Sequence, residues 1–135
     1  MASNIEIQIP KLKSSLLELI KKVEESVQKS IKSFEERNYL LAKTIIDDDK
    51  IIDKMEIDLE EECLKVMALN HPVAVDLRLI VSIIKITNTL EEIADISKNI
   101  SLNVLELCDL PNPGSVCEFS KLSNHVLWML KNAMD

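Results

Sequence analysis

Two pairs of acidic residues lie at equal distances from one predicted turn. Asp49 and Asp53 are separated by four positions, and so are Glu91 and Asp95. The two pairs are placed symmetrically about position 72, the proline of the helix-breaking dipeptide His71-Pro72. Residues four positions apart share one side of a helix. If the chain forms a helix, a turn and a second helix, the four carboxylates therefore meet in an antiparallel hairpin.

Four carboxylates at one place have three possible outcomes. Like charges repel and raise one another's pKa, so the side chains turn into water, share protons or bind a cation. Carboxylate oxygens without histidine or thiolate ligands suit hard cations, namely magnesium, manganese, calcium or iron. From the residues alone, a metal site and a solvated acidic helix face both stay open.

Other acids of the same helix differ in phase. At about 100° per residue, Glu56 and Glu60 share the side of Asp49 and Asp53, and are additional candidates. Three further acids face elsewhere and are predicted to be ordinary surface charges: Asp58, Glu61 and Glu62.

The residue types argue against catalysis. A carboxylate-bridged di-iron oxidase would need Glu-x-x-His pairs on facing helices, and the sequence has none. Neither His71 nor His125 has a neighbour that would activate a nucleophile, and a chain with the single glycine Gly114 cannot form a phosphate-binding loop. The sequence therefore predicts no catalytic residue and no enzyme.

Apolar residues at helical spacing predict two long helices in the first half of the chain. The first starts near Pro10, because proline is tolerated at a helix start, and runs to about Arg37. Asn38 can cap the second, which runs over about 39–70. It ends at His71-Pro72 because the residue before a proline avoids the helical region.

The second half predicts two more helices. Pro72 opens a third helix over about 72–105, and a Pro-rich loop at 108–115 leads to a fourth from about residue 116. The predicted fold class is all-α: an antiparallel bundle of three long helices plus a fourth C-terminal helix. The segment 77–86, apolar on most sides, is expected to be the most buried part of the protein.

The fourth helix is predicted to expose an apolar face. Val126, Leu127 and Leu130 recur at helical spacing, with Trp128 alongside. A contiguous exposed apolar face indicates an interaction surface, so we expect self-association through this helix.

Composition narrows the class of protein further. The net charge of −7 disfavours nucleic acid, because binding phosphates needs clustered lysine and arginine. No apolar run reaches the roughly 18 residues that span a bilayer, so any membrane association is expected to come through partners. The N-terminal residues do not form a signal peptide, which favours a cytoplasmic protein.

Three stretches resemble the motifs of one known family. The segment DKIIDKMEIDLEEECL at 49–64 resembles the second helix of PhoU-type phosphate regulators. HPVAVDLRLI at 71–80 looks like that family's P-x-A-x-D-L-R turn, and LEEIAD at 90–95 resembles its L-E-R-I-G-D motif. The three occur in the family's order and spacing.

The resemblance implies a non-enzymatic, all-helical protein built from similar three-helix repeats. PhoU proteins bind metal through (E/D)-x-x-x-D motifs, often iron or zinc and sometimes manganese or magnesium. Transferred by position, the metal ligands are Asp49, Asp53, Glu91 and Asp95. The family represses the phosphate-starvation response by linking a phosphate ABC transporter to a sensor histidine kinase, and its members usually form dimers or larger homo-oligomers.

The sequence also departs from the family pattern. Glu92 stands where the family has arginine, and Ala94 where it has glycine, so Glu92 adds a further candidate acid. Only one repeat is predicted, at 1–110, with 111–135 as the start of a second repeat or a dimerisation element. Asp76 complements the dipole of the third helix with Arg78 paired to a nearby acid, or both contact a partner.

Two functional hypotheses follow. In the first, the protein is a metal-binding regulator of phosphate uptake and phosphate-starvation signalling that contacts a transporter subunit or kinase. In the second, it is a purely structural helical interaction module associated with an ion or phosphate transporter, and its acids bind no metal.

Overall fold

The fold consists of four α-helices. The computed structural model describes residues 4–108 and 117–133, with side chains at 5–108 and 125–133. The helices are α1 (Asn4–Glu36), α2 (Tyr39–Asn70), α3 (Ala74–Leu107) and α4 (Cys117–Asn132). Helices α1, α2 and α3 pack against one another, and α4 packs on α1. The all-α prediction is confirmed, and no strand occurs in the described ranges. Apart from Cys108, the predicted loop lies outside the described residues.

Helix α1 begins earlier than predicted. Pro10 lies inside the helix rather than at its start. Its ring removes only one backbone hydrogen bond, and Ile5 and Ile9 on the preceding turns pack against the core. The burial of these side chains explains why the helix continues on the N-terminal side of the proline.

A tight turn joins α1 to α2. Arg37 has a positive φ of 50°, and Asn38 is the N-cap of α2. The Asn38 side-chain oxygen accepts a hydrogen bond from the Leu41 amide at 3.0 Å, which confirms the predicted cap. The Arg37 guanidinium also donates to the Leu107 carbonyl, so the turn is tied to the end of α3.

The second turn confirms the end of α2 and corrects the start of α3. Asn70 is the last residue of α2, and His71 closes it in the left-handed conformation with φ 43° and ψ 62°. Pro72 does not open α3, because Val73 is the N-cap and the helix starts at Ala74. The proline rigidifies the turn instead.

The core is aliphatic and centred on α1. Leu19 and Val23 of α1 and Ile80 of α3 are fully buried, and Ile52 of α2 is 1% exposed. The expectation that 77–86 is the most buried segment is wrong. Only Ile80 and Ile83 of that segment are buried, because α3 contacts α1 and α2 along one side and the rest of its surface meets solvent.

Small hydroxyl residues bring α1 and α3 close together. The Ser97 hydroxyl donates to the Ser26 carbonyl at 2.9 Å, and the two hydroxyl oxygens lie 2.8 Å apart. Because the proton of Ser97 is already used, Ser26 is the donor between the hydroxyls. Both serines are buried, so this pair fixes the contact between the two helices.

Helix α4 divides its apolar residues between α1 and solvent. Leu130 is buried and Leu127 partly buried against the core, which corrects the expectation that both are exposed. Val126, Trp128 and Met129 are exposed, and Trp128 stacks on His125. Among the described helices, none is both long and apolar enough to cross a membrane.

Candidate functional site

The acids predicted to meet lie at the α2–α3 contact. Asp49, Asp53 and Glu56 belong to α2, and Glu91 and Asp95 to α3, and we call these five side chains the acidic cluster. The negative charges of the other four all act on Glu56. The antiparallel packing of the two helices therefore brings both predicted pairs together, as the symmetry about position 72 indicates.

Glu56 lies at the buried centre of this cluster. It is 5% exposed, and its Oε1 atom has no hydrogen-bond partner. Burial is the main cause that raises the pKa of Glu56 to about 8, and the charge of Glu91 is the next. A carboxylate in this position is costly, so the group is mainly protonated at neutral pH unless a cation approaches.

Asp49 is also buried but has a cationic partner. It is 4% exposed, and its Oδ2 lies 3.3 Å from the Nζ of Lys98 on α3. Lys98 was not predicted as a site residue. It follows Asp95 by three positions and Glu91 by seven, and this spacing places all three on one side of α3. A search for cations on the acidic side would have found it.

The remaining members form an exposed rim. Asp53, Glu91 and Asp95 are exposed. The pKa of Asp53 is raised, first by partial desolvation and then by the charges of Asp49 and Asp95, and Lys98 opposes this shift. The cluster therefore has a buried inner part, Asp49 and Glu56, and an exposed rim that water reaches.

Two of the additional candidate acids, Glu60 and Glu92, have no resolved effect on the pKa values of the cluster. Glu60 and Glu92 are exposed, and neither is among the charges that shift Glu56 or Asp53. Glu60 acts instead on Cys63, whose thiol pKa is raised to about 11, chiefly by burial. These two acids behave as surface charges.

Asp76 and Arg78 lie near the start of α3, whereas the cluster residues Glu91 and Asp95 lie near its middle. Asp76 is in the first turn of α3, a position where a carboxylate is favourable to the helix dipole. Arg78 is exposed, and no carboxylate of the described side chains lies within 4.0 Å of it. The described side chains therefore provide no ion-pair partner for Arg78, and contact with a partner stays a prediction.

The acidic cluster has suitable atoms for a cation but is not preassembled. Within the described residues, no three histidine, cysteine, aspartate or glutamate side chains are arranged to hold a metal ion. The donors are all carboxylate oxygens, which suit hard cations, and the buried Glu56 Oε1 has no hydrogen-bond partner among the described residues. The chemistry of the donors thus fits a cation, although the described side chains do not yet form a coordination site.

The sequence of this chain is similar to a known family of proteins. The PhoU domain pattern matches residues 16–104. A PhoU homologue of Aquifex aeolicus is 33% identical over 104 residues, which are 77% of this chain and 47% of the relative. The Escherichia coli phosphate-specific transport system accessory protein PhoU is 25% identical over 135 residues, 100% of this chain and 56% of the relative.

A solved structure agrees with these sequence matches. The crystal structure of PhoU from Pseudomonas aeruginosa superposes with a TM-score of 0.93 at 28% identity. The superposition covers 98% of this chain and 64% of the solved one. The chain spans about half the length of the curated relatives that it matches.

Proposed function

Because the chain belongs to the PhoU family, we propose that it is a non-enzymatic regulator of phosphate uptake and phosphate-starvation signalling. Its relatives are named as accessory proteins of the phosphate-specific transport system. The proposed partner is a phosphate transporter subunit or a sensor kinase, and membrane association comes only through that partner.

The observation that carries the metal part of the proposal is the acidic cluster with its unpartnered Glu56 oxygen. Asp49, Asp53, Glu91 and Asp95 would hold the cation, and Glu56 would face it. The cation would supply positive charge between α2 and α3, and so hold the two helices in one register. Iron, zinc, manganese and magnesium are the candidates, and oxygen donors favour the harder of these.

Metal analysis of the purified protein tests this part. We expect wild-type protein incubated with iron, manganese, zinc or magnesium salts to retain metal after desalting. An Asp53→Ala/Glu91→Ala variant, which removes one rim carboxylate from each helix, should lose it. A Glu61→Ala/Glu92→Ala variant makes the same charge change outside the cluster and should bind as wild type does. Equal retention by all three proteins would contradict the proposal.

A phosphate-responsive reporter tests the regulatory part. In the host organism, loss of the protein should derepress the reporter in phosphate-rich medium, and the wild-type chain should restore repression. The Asp53→Ala/Glu91→Ala variant should restore less if metal is required. Unchanged reporter output on loss of the protein would refute the regulatory role.

We also propose that residues 1–110 form one PhoU-like repeat and that 111–135 contribute to self-association as a homodimer. The exposed Val126, Trp128 and Met129 of α4 support this. Light scattering of wild type and of a Trp128→Ser/Met129→Ser variant gives the test. The variant should be monomeric at concentrations where wild type is dimeric, and a monomeric wild type would overturn the idea.

The alternative function is a structural module without metal. The Lys98–Asp49 ion pair favours it, because the protein's own lysine already neutralises one buried acid. This alternative predicts that Asp53→Asn, by relieving repulsion, raises thermal stability whether or not metal is present. The metal-binding proposal predicts instead that Asp53→Asn abolishes the stabilisation produced by added metal.

A further inference from the structure

We propose that Lys98 is a built-in competitor of the cation at the acidic cluster. Its ammonium group neutralises Asp49 in the metal-free protein, and binding of a divalent cation requires its release. The inference rests on the proposed function, because it concerns the same carboxylates. It adds a determinant of affinity that lies outside the predicted ligands.

The geometry of the pair favours exchange. The ammonium nitrogen lies 3.3 Å from Asp49 Oδ2, and the side chains are 41% exposed for Lys98 and 6% for Asp49. The carboxylate is therefore held in the protein, while the ammonium group reaches it from the solvent side. A lysine head on a flexible four-carbon stem can move into water without a change in the backbone.

The charge of Lys98 reaches more than one carboxylate. It acts on Asp53 in the sense opposite to Asp49 and Asp95. Lys98 thus interacts with both the buried inner part and the exposed rim of the cluster, as a cation bound there would. Among the described side chains, no other lysine or arginine lies within 4.0 Å of a cluster carboxylate.

Competition follows from these positions. A divalent cation that takes Asp49 as a ligand must replace the ammonium group, and until the lysine withdraws the two positive charges repel. Partly exposed ion pairs are weak, so the lysine lowers the affinity for the cation without blocking the cluster. We expect removal of the ammonium charge to tighten manganese binding by about three- to tenfold.

Calorimetric titration with manganese chloride tests the inference on metal-stripped protein. Lys98→Met keeps most of the stem and removes the charge, and should show the tighter binding. Lys98→Arg keeps the charge and should stay within about twofold of wild type. Lys85→Met makes the same change at an exposed lysine of α3, and controls for net charge and helix propensity.

The outcomes separate this inference from the proposed function. Tighter binding by Lys98→Met than by wild type and Lys85→Met supports competition. Binding by Lys98→Met alone also supports it, and would show that wild type is held metal-free. If wild type binds manganese and Lys98→Met binds equally or more weakly, Lys98 is no competitor while the metal site stands. If no variant binds, both ideas fail.

Thermal unfolding without metal gives a second readout. Lys98→Met should lower the melting temperature, because the buried Asp49 carboxylate loses its partner. With Asp49→Asn already present, the same lysine change should cost little. Equal effects in both backgrounds would show that the pair is not coupled and would overturn the inference.

Discussion

The pKa of Glu56 responds both to the burial of its side chain and to the charges around it. Its helical phase placed it beside Asp49 and Asp53, so its membership of the acidic side was predictable from sequence. The burial of Glu56 was not predictable, because helical phase gives the side of the helix on which a residue lies and not how closely other helices cover it. The pKa of about 8 follows from that burial, together with the nearby charge of Glu91.

The raised pKa of Glu56 makes stability depend on pH. The folded protein holds the proton up to about pH 8, whereas the ordinary value is 4.5. Because the folded state binds the proton more tightly than the unfolded chain, the free energy of unfolding falls as pH rises between these values. It levels off above the folded-state pKa.

Replacing Glu56 by the neutral Gln should remove this dependence. In metal-free protein, we expect Glu56→Gln to match wild type near pH 4 and to exceed it by at least about 1 kcal/mol near pH 9. Urea unfolding across that range measures the effect, with the exposed Glu61→Gln as control. Parallel profiles for Glu56→Gln and wild type would show that Glu56 does not titrate abnormally.

Helix ends are the features that local sequence specified best. Asn38 and His71-Pro72 act through their own backbone and side chains, so α2 occupies the predicted range. Burial was harder to predict because it depends on how many helices surround a segment. The apolar 77–86 stretch has neighbours on one side only, and the apolar Leu17 of α1 is exposed.

Leu19 and Leu17 of α1 should contribute very differently to stability, because one lies in the core and the other in solvent. Leu19 is 0% exposed and Leu17 is 60% exposed, although they lie two positions apart. Leu19→Ala should lower the free energy of unfolding by about 2–5 kcal/mol, since it leaves a cavity. Leu17→Ala should change it by less than about 0.5 kcal/mol. Chemical denaturation of both variants provides the comparison, and similar losses would show that the helix is rotated.

The N-cap of α2 should contribute measurably to stability. Asn38→Ala removes the acceptor of the Leu41 amide and should cost about 0.5–2 kcal/mol. Asn38→Ser, which can restore the bond, should recover most of the loss. Thermal denaturation of the two variants distinguishes a cap from a general effect of substitution at the turn.

The three-helix bundle and α4 differ in the number of helices that pack against them. Helices α1, α2 and α3 each contact the other two, whereas α4 contacts α1. Leu130 is the described residue of α4 that is buried. We therefore expect α4 to open without unfolding the bundle.

Hydrogen exchange can detect that opening. Leu130→Asp places a charge against α1 and should cause the amides of α4 to exchange rapidly while those of α1, α2 and α3 stay protected. Met129→Asp, at an exposed position of the same helix, should leave α4 protected in the monomer. Loss of protection throughout the chain in Leu130→Asp would mean that α4 and the bundle unfold as one unit.

The lengths of the first three helices have a hydrodynamic consequence. They contain 33, 32 and 34 residues and are joined by tight turns, so they lie side by side over nearly their full length. At 1.5 Å per residue each is about 50 Å long, against a helix diameter of about 10–12 Å. Three such helices packed together are about two helix diameters across, so the bundle is roughly twice as long as it is wide. A particle of this shape tumbles more slowly about its short axes than a sphere of equal mass and elutes earlier from a sizing column. Retention volume alone would therefore overestimate the mass of the monomer.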